Sequence, residues 1–120
     1  MMSEPTRQLP EVKAFTRINP TLSPAFANWY ANNVEITTSY FDVALFFGEV
    51  AGVTGDALNV ERKTRVVLPL GQAKLLAFSL IRQLATYETT FGTINLDPKV
   101  IPDDLRETAA EWESRTKSEG

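Results

Sequence analysis

Polar and apolar positions alternate with a period of two over three stretches of this chain, and then switch to a period near 3.6. In Asn33–Thr38, Val34, Ile36 and Thr38 fall on one side and Glu35 and Thr37 on the other, which predicts a strand. Residues 41–50 predict a second strand, with Phe41, Val43, Leu45 and Phe47 on one face and Asp42, Ala44, Phe46 and Val50 on the other. Residues 60–68 predict a third, with Val60, Arg62, Thr64, Val66 and Leu68 on one face and Glu61, Lys63, Arg65 and Val67 on the other. Between the second and third, residues 51–59 (AGVTGDALN) read as a flexible hairpin loop marked by Gly52, Gly55 and Asp56.

A period of two makes register arguable, because a one-residue slip turns a strand over. Pairing Val34 with Leu45 and Ile36 with Val43 joins the apolar faces of the first two strands. Pairing Leu45 with Val66 and Val43 with Leu68 does the same for the second and third, so the second strand is central. The first pairing implies a turn on Ser39-Tyr40, which is not a favoured two-residue hairpin sequence, and a longer loop there is an equal alternative.

From residue 70 to 91 the apolar positions Ala73, Leu76, Ala77, Leu80, Leu84, Tyr87 and Phe91 follow helical spacing and form one stripe. Pro69 suits a helix entrance and Gly92 a helix stop. The stripe is expected to cover the sheet face that carries Val34, Ile36, Val43, Leu45, Val66 and Leu68. The predicted fold is α+β: a three-stranded antiparallel meander, one long helix packed on a face, and a possible short C-terminal helix. Residues 1–24, with three prolines, read as a flexible arm whose Val12, Phe15, Ile18 and Leu22 are able to dock. Ala25, Phe26 and Trp29 are placed to form a short helical turn. Residues 25–96 are the β-β-β-α domain. Residues 97–120 are a polar tail, with a helix expected over 103–117 and Leu105, Ala109 and Trp112 on one face.

Composition narrows the chemistry. With 43% hydrophobic and 22% charged residues, a soluble single domain is expected. The chain has no cysteine and no histidine, which removes disulfides, thiolate metal sites and histidine-based triads, and with them the commonest general base. No metal or organic cofactor is expected, and the absence of cysteine fits a cytoplasmic location. The N-terminus lacks the pattern of a signal peptide, and no apolar run reaches the ~20 residues that span a membrane. A net charge of −3 weighs against nucleic acid as a partner.

Three groups of residues are candidates for function. Phe46 and Val50 on the free sheet face, with Leu75, Phe78 and Arg82 on the outer side of the helix, form a candidate interface for self-association or an unidentified protein partner. Exposed single hydrophobes, or cover by the chain's own Phe15, Trp29 or Trp112, are the structural alternatives. Arg62, Lys63 and Arg65 are a candidate anion contact. The alternative is a solvated strand whose charges pair with Glu35, Asp42 or Glu49. The carboxylates Asp42, Glu49, Glu61 and Glu88 are the remaining acid–base candidates, and their spacing places no two of them in a cleft.

The segments YANNVEI, FDVALFFGEV, RVVLPLGQAKLL and YETTFGTI together resemble the bacterial domain of unknown function DUF3467, over residues 30–94. Tyr30, Ala31, Asn32, Val34, Leu45, Phe47, Gly48, Ala73, Lys74, Leu76, Tyr87, Glu88, Phe91 and Gly92 carry the resemblance. The chain departs from the pattern at the helix entrance, where Pro69-Leu70 stands for Ser-Pro and a side-chain cap is lost. The resemblance supports the β-β-β-α order and implies no activity. The expected function is a non-enzymatic interaction or assembly module, homodimeric or a multiple of that. The alternatives are a nucleic-acid-associated regulator and a SecB-like binder of apolar peptides.

Overall fold

The structure, a computed structural model, describes residues 17–119. Three strands, β1 (Asn33–Thr38), β2 (Asp42–Thr54) and β3 (Ala57–Pro69), make one antiparallel sheet in the order β1-β2-β3, with β2 central. The long helix α1 (Leu70–Phe91) and, after two short 3-10 turns, the helix α2 (Arg106–Glu119) complete the α+β fold. Among the described residues the chain divides into two compact units: residues 17–34 with 47–64, and residues 35–46 with 65–119.

In the first unit, the nine-residue loop expected at 51–59 is replaced by strand on both sides of a two-residue turn. β2 runs on to Thr54 and β3 begins at Ala57, so Gly55-Asp56 alone reverses the chain. Gly55 has φ +62°, the left-handed conformation such a turn requires and glycine adopts without steric cost. Asn59 Nδ2 donates to Thr54 Oγ1 across the turn at 2.8 Å. Glycine breaks a strand pattern in sequence, and here Gly55 is the turn itself while Gly52 stays in the strand. Preceding the sheet, Ser23 closes a single turn, accepting from Phe26 N–H at its carbonyl (2.9 Å) and from Ala25 N–H at its hydroxyl (3.0 Å). The helical turn expected at residues 25–29 is therefore a non-helical bend. Of the candidate docking residues in the arm, Val12 and Phe15 lie outside the described residues, while Ile18 and Leu22 are exposed.

In the second unit, β1 and β2 meet at Ser39 and Asp42, whose backbones bond at 2.8 Å. The turn therefore carries Tyr40-Phe41 rather than Ser39-Tyr40, and β2 begins at Asp42. Counting back from that closure sets Ile36 opposite Leu45, two residues from the expected pairing. A slip of two preserves the faces, so the apolar side of each strand is as predicted. Ser39 explains the position of the turn: its hydroxyl accepts from the N–H groups of Phe41 and Asp42 (both 3.1 Å) and donates to Asp42 Oδ1 at 2.9 Å. This local capture of backbone donors by a hydroxyl is a recurrent turn device. On the other side of β2, the Arg65 guanidinium lies 5.6 Å from the Phe46 ring centroid, one step from the expected Leu45–Val66 pair.

α1 begins where β3 ends. Pro69 is the last strand residue and Leu70 the first helical one, and no side chain caps the entrance. The exit is as expected: Gly92, at φ +108°, donates its N–H to Glu88 O at 3.0 Å. The stripe is less covered than expected: α1 has no buried residue, and of the stripe only Ala73 and Leu76 are half-buried. Among the described residues the buried hydrophobic core is Ala44 and Leu45 alone. A strand that enters a helix without an intervening loop has no residues in which to turn back, and helices that cover their own sheet follow loops of about 2–6 residues.

Candidate functional site

The candidate interface residues are placed as follows. Leu75, Phe78 and Arg82 share one face of α1 and are all exposed, Leu75 by 56% and Phe78 by 55%. Lys74 Nζ sits 5.9 Å from the Phe78 ring centroid and is the polar neighbour on that face. Phe46 is half-buried beneath Arg65. Val50, in the first unit, is at the margin of exposure, and its N–H donates to Asn32 Oδ1 at 2.8 Å. The face named from the sequence is thus open on the helix and partly closed on the sheet.

The basic run is drawn into local partnerships. Lys63 Nζ lies 3.3 Å from Glu49 Oε1, 3.8 Å from Glu61 Oε1 and 5.6 Å from the Trp29 ring centroid. Trp29, one of the residues the sequence offered as cover, lies beside Lys63, and Glu49 is the acid partner it named. Pairs this exposed contribute less than about 1 kcal/mol each, so the cluster is a surface seam. Arg65 stacks on Phe46, and Arg62 also has an interaction partner.

The carboxylates are likewise engaged. Asp42 holds the Ser39 turn, and Glu49 and Glu61 share the Lys63 ammonium. Glu88 accepts from Ile94 N–H at Oε2 (2.8 Å) and from the Trp112 indole N–H at Oε1 (3.0 Å). Among the described residues no three of His, Cys, Asp and Glu form a group suited to a metal ion.

Glu88 is the residue whose role the sequence concealed. A candidate acid–base group by sequence, it fastens the C-terminal segment to α1. With Trp112 held there, Leu80, Ile81, Leu84, Ile94 and Leu96 line an open apolar groove of about 330 Å³. A second concavity continues past Leu84 along Tyr87 and Phe91. The approach of α2 is steadied by Asp97, which caps the first 3-10 turn through Lys99 N–H, and by Arg106, which binds Asp103 Oδ1 at 3.0 Å and Pro98 O at 3.2 Å.

Several residues of the sequence pattern have comparable architectural work. Asn32 extends the sheet edge: its N–H donates to Gly48 O at 3.0 Å, while its side chain receives Val50 N–H. Gly48 is pressed so closely on β3 that a Cβ there would stand 2.7 Å from Glu61 O and from Val60 Cγ1. Gly92 stops the helix. A feature absent from the sequence reading is the Tyr40–Phe41 pair at the β1–β2 tip, two exposed rings packed edge to face at 5.0 Å.

Residues 2–96 match the family model described as a protein of unknown function (DUF3467). No curated protein and no solved structure matches the chain. Among the described residues no helix is long and apolar enough to cross a membrane.

Proposed function

The chain belongs to DUF3467, a family of unknown function, and from that premise we propose that it is a non-enzymatic assembly module whose fold is completed by association, in the first place with itself. The observation that carries this reading is exposed apolar surface. α1 has no buried residue, and its Leu75, Phe78, Leu80, Ile81, Leu84, Tyr87 and Phe91 are each 44–74% exposed, a run of large apolar side chains of the kind that marks an interaction surface.

The reading is non-enzymatic because the carboxylates proposed for acid–base work have structural partners, as do Asn32, Gly48 and Gly92 of the family pattern. A cytoplasmic site of action is part of the same proposal, consistent with a chain free of cysteine.

Light scattering and sedimentation velocity on the full chain test it. A particle of two 13.4 kDa chains, or a multiple of two, is expected at micromolar concentration. Phe78→Asp and Phe46→Asp locate the contact: the substitution that dissociates the particle marks the face in use. A parent chain that remains monomeric and still unfolds cooperatively overturns the proposal.

A further inference from the structure

We infer that two copies of this chain form a reciprocal dimer in which α1 of each lies across the sheet of the other. The inference rests on the homo-oligomeric reading above and names the surfaces that meet.

Its first support is a pair of apolar surfaces on one chain that the sequence matches to each other and that both keep exposed residues. In the unit containing α1, the sheet face that the sequence assigns to the helix carries Ile36, Val43, Leu45, Val66 and Leu68. Ile36 is 62% exposed and Val66 39%. The helix stripe assigned to that face includes Leu80, Leu84, Tyr87 and Phe91, exposed by 44–74%. Leu45 at the centre of that sheet face is buried and Val43 and Leu68 are half-buried, so its open part is Ile36 and Val66, while the helix stripe is open from Leu80 to Phe91.

The second support is the connection. β3 passes into α1 at Pro69-Leu70 with no intervening residue. The stripe therefore cannot reach its own sheet without unwinding the first turn of the helix or the end of the strand. A second copy related by a two-fold axis offers the missing sheet to this helix and receives the helix on its own. One operation satisfies both surfaces, as an isologous interface requires.

The groove on α1 fits such an occupant. Glu88 fixes Trp112, and Ile94 and Leu96 lie beside it, so the stripe has an apolar wall along one side and remains open on the other. Charged side chains are absent from the sheet face named above. A contact along the 22-residue helix would cover the exposed Leu80, Leu84, Tyr87 and Phe91 together. A second copy is the occupant the observations favour, because both halves of the contact are already present in this one sequence.

Mixed-label crosslinking tests the arrangement. A benzophenone amino acid replaces Tyr87 in one preparation and Leu80 in another, in nitrogen-15-labelled chain. Each is unfolded and refolded with unlabelled wild-type chain, irradiated, and mapped by mass spectrometry, with sedimentation run in parallel. The expected products join labelled α1 to unlabelled strand segments 36–45 or 65–68. In a preparation that sediments as a dimer, adducts confined to α1 of the other chain, to the same chain, or missing from both positions overturn the helix exchange while leaving the homo-oligomer in place. A monomer in the parallel sedimentation overturns both.

Discussion

Glu88 holds two donors at once, and its loss is the most informative change at the scale of a single residue. Glu88→Ala leaves the Ile94 N–H and the Trp112 indole without their acceptors in a partly buried place. An unsatisfied donor there costs about 1–3 kcal/mol, so a loss of about 2 kcal/mol is expected from urea unfolding at fixed protein concentration. In a Trp29→Phe background, Trp112 emission should move to the red as the indole reaches water. An unchanged midpoint and spectrum would show that the clamp is not formed in solution. Gly48→Ala should destabilise by about 1–3 kcal/mol, the range for forcing atoms into a filled place, because its Cβ would meet backbone of β3 at 2.7 Å. Thermal melts of the variant decide it, and a neutral effect would mean that the two strands stand further apart than described. Neither role was legible beforehand. A carboxylate on a helix looks the same in sequence whether it binds substrate or a tryptophan 24 positions later, and the close approach behind Gly48 exists only once the strands pair.

Elements were more legible, because periodicity is a local property. The bounds of α1 follow directly from its stripe, Pro69 and Gly92, and the three strands follow from alternation. The misjudged places are those where a turn residue decides: Ser39 captures backbone donors and moves one turn, and Gly55 shortens a nine-residue loop to two. Gly55→Ala should therefore lower stability by about 1 kcal/mol, since alanine disfavours the left-handed region by roughly that amount. A matched melt of Gly71→Ala, at an exposed helical position with open space around it, should move the other way by up to about 1 kcal/mol. Equal and opposite failures of these two would remove the conformational explanation of the turn. Beyond Leu96, where the family match also ends, Trp112 donates to Glu88 of α1. Ending the chain at Leu96 should lower the melting temperature by several degrees, consistent with losing about 2 kcal/mol. A truncated chain that melts with the parent would return that segment to the status of a tail.

At the scale of the whole molecule, the apolar stripe and the sheet face were both visible in the sequence, and the exposure of the stripe in the single chain was not. Alternation and helical period say which residues want cover. They do not say whether the covering surface comes from the same chain, because that depends on the connection at Pro69-Leu70. On the proposed assembly, folding and association are one process, and the concentration dependence of the thermal melt reports on it. When two chains must meet in order to fold, mass action raises the midpoint with protein concentration. Across a hundredfold range, from about 1 to 100 μM, the melting temperature should rise by several degrees. A cooperative transition whose midpoint stays fixed over that range would contradict the claim, because it would show that a single chain holds its fold alone.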